Sequence, residues 1–109
     1  MVPHRHLSTN GLEVRLTQHA MRRMGRRGIS GESILTAIQY GREAFVRGAR
    51  IYAIGRKEVE HYGSEGIDLA RYEGVQVVCA GDGLVLTIYR NRDFRGLRPR
   101  GRSRRRCAA

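Results

Sequence analysis

The chain has 109 residues and a formal net charge of +11. That length allows one domain with one modest core. No apolar run reaches roughly 18 residues, which excludes a membrane-spanning helix, and the N-terminal MVPHRHLSTNG lacks the apolar segment of a secretory signal. A cytoplasmic protein is expected. Residues 90–109 hold nine arginines against Asp93, a local charge of +8; the other 89 residues hold twelve basic and nine acidic groups, only +3. The excess is therefore mostly a tail, and Lys57 is the single basic residue that is not arginine.

Residues 1–11 are expected to be flexible, and His4 and His6 are too short a pattern to define a metal site. Leu12, Val14 and Leu16 alternate with charged residues, the pattern of a short edge strand. Thr17 is a suitable N-cap for a helix with an apolar stripe of Ala20, Met21 and Met24. His19, Arg23 and Arg27 recur every four residues and form a second stripe beside it. Gly28 reads as the stop. Ser30 opens a second helix carrying Ile34, Leu35, Ala37 and Ile38, and Gly41 ends it.

Residues 44–54, AFVRGARIYAI, read as a β-hairpin turning at Gly48-Ala49, with Phe45 opposite Tyr52 and Val46 opposite Ile51, or with Gly48 marking a bulge instead. Residues 56–64 change period, with Val59 and Tyr62 three apart, and predict a short third helix. Ile67 and Leu69 are expected to tuck beneath the sheet.

The central stretch is GVQVVCAGDGLVLTIYRN, residues 74–91. Asp82-Gly83 between two alternating runs predicts a hairpin. That turn sets Ala80 opposite Val85, Val78 opposite Thr87 and Gln76 opposite Tyr89, all on one face. The other face carries Val75, Val77, Cys79, Leu84, Leu86 and Ile88, with Arg90 at its end. Cys79 reads as a small core residue, Cys107 lies in the polar tail, and the two do not form a disulfide framework.

The predicted architecture is α+β. A helical hairpin packs on a roughly four-stranded antiparallel sheet, with a short third helix between the two β-hairpins. One domain spans 12–94, followed by a disordered Arg-rich tail at 95–109.

LTQHAMRRMGRRGIS, RIYAIGRKEVEHYGSEGIDL and GVQVVCAGDGLVLTIYRN together resemble an uncharacterised family of small bacterial domains, similar to the RelE, ParE and BrnT toxin folds. The resemblance covers roughly residues 16–92. It implies a helix-then-sheet toxin fold and a bacterial toxin-antitoxin setting. RelE-like members cut RNA, ParE-like members poison a topoisomerase, and several act beside an antitoxin.

RNA cleavage without a metal needs a base for the 2′-hydroxyl, an acid for the leaving oxygen and cations for the phosphate charge. His19 suits the proton transfers at neutral pH. Arg23 suits a phosphate grip, and Arg27 continues its stripe. Thr87 and Tyr89 project from the open sheet face, where Tyr89 can donate to phosphate or stack on a base. These four, His19, Arg23, Thr87 and Tyr89, are the candidate catalytic set. Each also has a plain structural role available, as a solvated helix face or as strand residues favoured by propensity.

Candidate nucleic-acid contacts are Arg27, Lys57 in the first turn of the third helix, Arg90, Arg92, Arg95, Arg104, Arg105 and Arg106. No Cys/His spacing resembles a zinc site, and no metal or cofactor is expected. The function expected is a metal-independent endoribonuclease of the toxin type. The alternatives are a non-catalytic RNA- or DNA-binding module using the tail, or a ParE-like protein-binding toxin. RNA and an acidic antitoxin are the expected partners, the antitoxin lying over the open sheet face and capturing the tail. Phe94 and Leu97 would then dock in the partner or on the last strand.

Overall fold

The glycine after Asp82 decides how the central hairpin closes. In the computed structural model, which describes residues 5–9, 12–92, 94 and 97, Gly83 takes φ +90° while Asp82 does not enter the positive-φ region. Ala80 N–H donates to the Leu84 carbonyl and Gly83 N–H to the Ala80 carbonyl, both at 2.9 Å. The loop is therefore Gly81-Asp82-Gly83, a three-residue turn ending in a left-handed glycine, and not the two-residue turn expected. Ala80 meets Leu84, and Cys79 pairs with Val85. A bulge between Val78 and Cys79 then restores the expected pairs, Val78 with Thr87 and Gln76 with Tyr89. Consequently Val85, expected on the open face, is fully buried, and Leu86, expected inside, is 36% exposed.

The elements follow in the order β1 (Arg5–Thr9), β2 (Leu12–Leu16), α1 (Gln18–Arg27), α2 (Gly31–Tyr40), β3 (Arg42–Val46), β4 (Ala49–Ala53), α3 (Arg56–Gly63), a 3₁₀ turn (Ala70–Tyr72), β5 (Val75–Cys79) and β6 (Val85–Arg90). The protein is α+β, with three α-helices among the described residues. Its strands form one sheet in the order β1-β2-β6-β5-β4-β3. Every pairing is antiparallel except β2 with β6, which run parallel through Leu16 and Val85.

Three expectations change here. Residues 5–9, placed in a flexible N-terminus, pair with β2 from Arg5–Leu16 to Thr9–Leu12. Residues 12–16 are consequently not an edge, because β2 lies between β1 and β6. The sheet is six-stranded and mixed where four antiparallel strands were expected.

The helix boundaries follow the local chemistry expected of them. The Thr17 hydroxyl accepts from Ala20 N–H at 3.1 Å, and Gly28 ends α1 at φ +62°. The Ser30 hydroxyl accepts from Ser33 N–H at 3.1 Å, and Gly41 follows α2. Gly41 lies so close to the backbone at Ala37 and Ala53 that a Cβ has no room: the Ala53 carbonyl oxygen would be 2.9 Å away. α3 begins with a carboxylate reaching back, Gly55 N–H donating to Glu58 Oε1 at 2.7 Å.

The β3–β4 turn also moves. Arg47 (φ +53°) and Gly48 (φ +80°) form it, and Val46 pairs with Ala49 and Phe45 with Arg50. Two positive φ angles match the twist of a two-residue hairpin. The turn thus falls one residue earlier than the expected Gly48-Ala49, with Gly48 at its second position instead of its first.

One face of the sheet carries the main core: Leu16, Val75, Val77, Cys79, Val85 and Ile88 pack with Ala20 of α1, Ile34 and Ala37 of α2, and Leu69. Val59 and Tyr62 of α3 flank the same cluster, so all three helices cover this face. Tyr62 meets Tyr40 of α2 edge-on, with centroids 5.0 Å apart. The opposite face holds a smaller cluster of Ile51, Ala53 and Leu97, flanked by Ala44, Val46, Val78 and Phe94.

Phe94 and Leu97 therefore dock on the chain's own sheet, not on a partner or on the edge of the last strand. The packed unit extends past residue 94. The reason is the apolar strip of β3–β5 that no helix covers. Leu97 is 8% exposed, and Arg42 stacks 4.9 Å from the Phe94 ring. Leu97→Ala is expected to lower unfolding stability by about 2 kcal/mol, the low end for an apolar truncation. Urea denaturation measures it; a change within about 0.5 kcal/mol is what a surface spectator would give.

Candidate nucleic-acid interface

The sequence of α1, QHAMRRMGRR, contains no acidic residue. Ala20 is buried and Met21 and Met24 pack against the main core. The remaining positions turn outward by the 3.6-residue period. His19, Arg22, Arg26 and Arg27 are exposed and Arg23 is half-buried. His19 stands three and four residues before Arg22 and Arg23, and Arg23 three and four before Arg26 and Arg27, so the five form one continuous basic surface on the solvent side.

Six carboxylates elsewhere among the described residues are engaged in ion pairs. Asp82 lies 3.6 Å from Arg15, Glu58 3.1 Å from Arg42, Glu43 3.0 Å from Arg50, and Glu73 4.0 Å from Arg92. Glu60 lies against Arg56 within α3, and Glu65, just beyond its end, lies against His61. Among the described residues, no carboxylate pairs with Arg22, Arg23, Arg26 or Arg27. Basic residues in the last turn suit the negative end of the helix dipole. Four arginines without a counter-charge nonetheless leave a strong positive field over this surface.

His19 and Arg23 are brought together: Arg23 Nε donates to His19 Nε2 at 3.4 Å. For that contact His19 carries its proton on Nδ1 and keeps Nε2 as the acceptor. Thr87 and Tyr89 are not brought to them. α1 packs on the face that carries Val85 and Ile88. Thr87 pairs with Val78 and Tyr89 with Gln76, on the opposite face. The sheet itself stands between the two halves of the expected catalytic set. A four-residue centre of His19, Arg23, Thr87 and Tyr89 is not assembled within one copy of the chain.

The second face is also less open than expected, with Gln76 2% exposed and its Nε2 donating to the Asn91 carbonyl at 2.6 Å. Thr87 and Tyr89 remain half-buried there.

Arg90 is exposed and donates from Nη2 to the Arg71 carbonyl at 3.2 Å, which ties its head to the 3₁₀ turn. Arg92 is exposed beside Glu73. Lys57 stands exposed in the first turn of α3. His61 is exposed, its Nε2 3.5 Å from Glu65. Arg95, Arg104, Arg105 and Arg106 lie outside the described residues. Arg22 and Arg26 belong to the α1 surface but were not expected from the four-residue stripe of His19, Arg23 and Arg27. Their signal was available: four arginines with no acidic residue on the same helix. An open depression of about 370 Å³ beside α3, lined by Val59, Gly63, Gly66, Ile67 and Asp68, brings Asp68 alone as an ionisable group. Among the described residues no cluster of His, Cys, Asp and Glu is grouped to hold a metal ion.

Cys79 sits in the core at 1% exposure, and burial raises its thiol pKa from 9.0 to about 11, with Arg50 opposing slightly. A thiol held in its protonated form is a poor nucleophile. Asp82 moves the other way: its carboxylate accepts from Leu84 N–H, which lowers its pKa. For Cys79 the folded state keeps the proton through a range where the unfolded thiol loses it. Its contribution to stability is complete below the unfolded value of 9.0 and is lost as pH rises through about 11. The stability advantage of wild type over Cys79→Ala should therefore shrink across that interval, measured by denaturant midpoints.

A scan against protein-family models, a search of curated proteins and a search of solved structures each found nothing that matches this chain.

Proposed function

We propose that this protein binds a nucleic-acid backbone through the outer surface of α1. The observation that carries the reading is the set of four arginines on one helix with no carboxylate partner among the described residues. Arginine forks pair bidentately with phosphate, and a ten-residue helix presents them about one turn apart. The contacts are to backbone and not to base edges, so binding should depend on salt more than on sequence. Relationship to the RelE, ParE and BrnT folds rests on the motifs quoted above, and an RNA substrate in a toxin-antitoxin setting is part of the same proposal.

Arg22→Ala with Arg26→Ala in the full chain should weaken binding to single-stranded RNA. It should also reduce the slope of log K against log salt by about 1.4, because each phosphate neutralised on a single strand contributes about 0.7. Fluorescence anisotropy over a salt series measures this, with single-stranded RNA and duplex DNA as parallel arms to identify the favoured polymer. Replacing Arg104, Arg105 and Arg106 by alanine is the companion variant. If that variant removes all binding while the α1 variant leaves it intact, the tail is the interface and this reading fails.

The contact between His19 and Arg23 favours a second reading, an endoribonuclease centred on α1. Arg23 would hold the phosphate while His19 Nε2 takes the 2′-hydroxyl proton. The acid for the leaving oxygen would have to come from the substrate side or from solvent. Pure protein incubated with total RNA in EDTA should then cleave it, and His19→Ala should lose at least about 100-fold of that rate. Survival of RNA equal to buffer, with binding retained, would leave the binding module as the answer.

A further inference from the structure

The edge of the sheet farthest from the basic helix is β3. Its five residues, Arg42–Val46, contain no proline and no lysine, and no bulge interrupts their pairing with β4. Edge strands of stable monomers are usually protected by proline, a bulge or charged side chains, and the two charges of β3, Arg42 and Glu43, are both paired within the chain. β3 instead carries Phe45, which is 63% exposed, the higher of the two exposed large apolar side chains among the described residues.

Its free backbone groups can be assigned. A two-residue turn closes on a hydrogen-bonded pair, here Val46 with Ala49. Ile54 N–H donates to Val75 on the other side of β4, which agrees: odd-numbered residues of β4 bond to β3 and even-numbered ones to β5. Arg42, Ala44 and Val46 thus spend their N–H and C=O on β4, while Glu43 and Phe45 direct theirs outward.

We propose that β3 pairs antiparallel with β3 of a second copy, about a two-fold axis at Ala44. Glu43 and Phe45 of each copy then exchange both backbone hydrogen bonds with Phe45 and Glu43 of the other. The register is self-complementary in charge. Arg42 meets Val46, Glu43 meets Phe45, and Ala44 meets Ala44, so no like charges lie opposite one another. Both charged residues of the strand are already neutralised within their own copy, Arg42 by Glu58 at 3.1 Å and Glu43 by Arg50 at 3.0 Å.

Along β3 itself no unpaired charge faces the second copy, although the whole chain carries +11. On the helix side, the two Phe45 rings become diagonal neighbours, each with its own Arg50 5.2 Å from the ring centroid. On the opposite side, Ala44 and Val46 join the two Ile51–Ala53–Leu97 clusters into one. The strand order leaves β1 at the outer ends of the joined sheet and sets β6, with α1 against it, three strands from the seam, so each copy keeps its basic surface free.

The pairing is independent of the nucleic-acid reading, because its test needs no ligand. Sedimentation equilibrium of the full chain should show a concentration-dependent rise from the 12.4 kDa monomer to twice that mass. Phe45→Lys should keep the monomer's circular dichroism spectrum and lose the dimer. Phe45→Pro, which removes an outward N–H and spares β4, should do the same. In a Cys107→Ser background, Ala44→Cys should cross-link under mild oxidation, because the two Cα atoms on the axis would lie about 4.5 Å apart. Arg42→Cys, which faces Val46 of the other copy, should not. Three results overturn the proposal: a monomer at every concentration, a dimer that survives Phe45→Lys, or cross-linking of Arg42→Cys as efficient as that of Ala44→Cys.

Discussion

The bulge between Val78 and Cys79 is the point on which the sheet depends. A three-residue loop with a left-handed glycine displaces the pairing of β6 by one residue, and the bulge returns it. Between the two corrections, Val85 turns into the core. Its carbonyl accepts Thr17 N–H at 3.0 Å, and its backbone pairs with Leu16 in the single parallel pairing of the fold. The Thr17 hydroxyl adds a bond to the Leu86 carbonyl at 3.2 Å while also capping α1. One local irregularity thus fixes where the N-terminal hairpin joins the sheet and where the basic helix begins. Bulges are common where a strand must re-aim its side chains, and this one does so at the helix start.

Charge is distributed by the same architecture. The β3–β4 end and α3 hold three ion pairs, Arg42 with Glu58, Glu43 with Arg50 and Arg56 with Glu60, while Arg15 with Asp82 and Arg92 with Glu73 lie toward β2 and β6. The β2–β6 end lies under α1, whose arginines have no carboxylate partner among the described residues. Exposed ion pairs contribute little to stability, so the pairing near β3 is better understood as local neutralisation than as a source of folding energy. The unpaired α1 surface and the neutral β3 edge then suit different partners, a polyanion and a second basic chain.

The two faces of the sheet also differ in how they are closed. Three helices cover one, and on the other Phe94 and Leu97 extend the small Ile51–Ala53 cluster. Central strand β5 is buried on both faces, with Val75, Gln76, Val77 and Cys79 all below a few per cent exposure. A buried amide needs a partner, and Gln76 finds it in the Asn91 carbonyl just beyond β6. That bond and the docking of Leu97 make the second face an interior surface over part of its extent. An expected open platform for Thr87 and Tyr89 is correspondingly narrower.

The sequence by itself determined whatever rests on interactions within about four residues. Thr17, Gly28 and Ser30 marked helix boundaries, because capping bonds run to the next turn and left-handed Gly28 needs no distant partner, whereas extended Gly41 is required by the approach of Ala53. The His19–Arg23 contact and the basic stripe followed from helical spacing. Cys79 was legible as core from strand alternation. The tertiary structure alone decided the rest. The Thr17–Leu86 bond joins residues 69 apart, and no local pattern announces it. The compensating loop and bulge, the recruitment of residues 5–9 into the sheet, and the separation of His19 from Thr87 and Tyr89 all depend on which face each element finally covers. Period-two alternation says that two faces exist; only packing says which one the helices take and what Phe94 and Leu97 are left to fill.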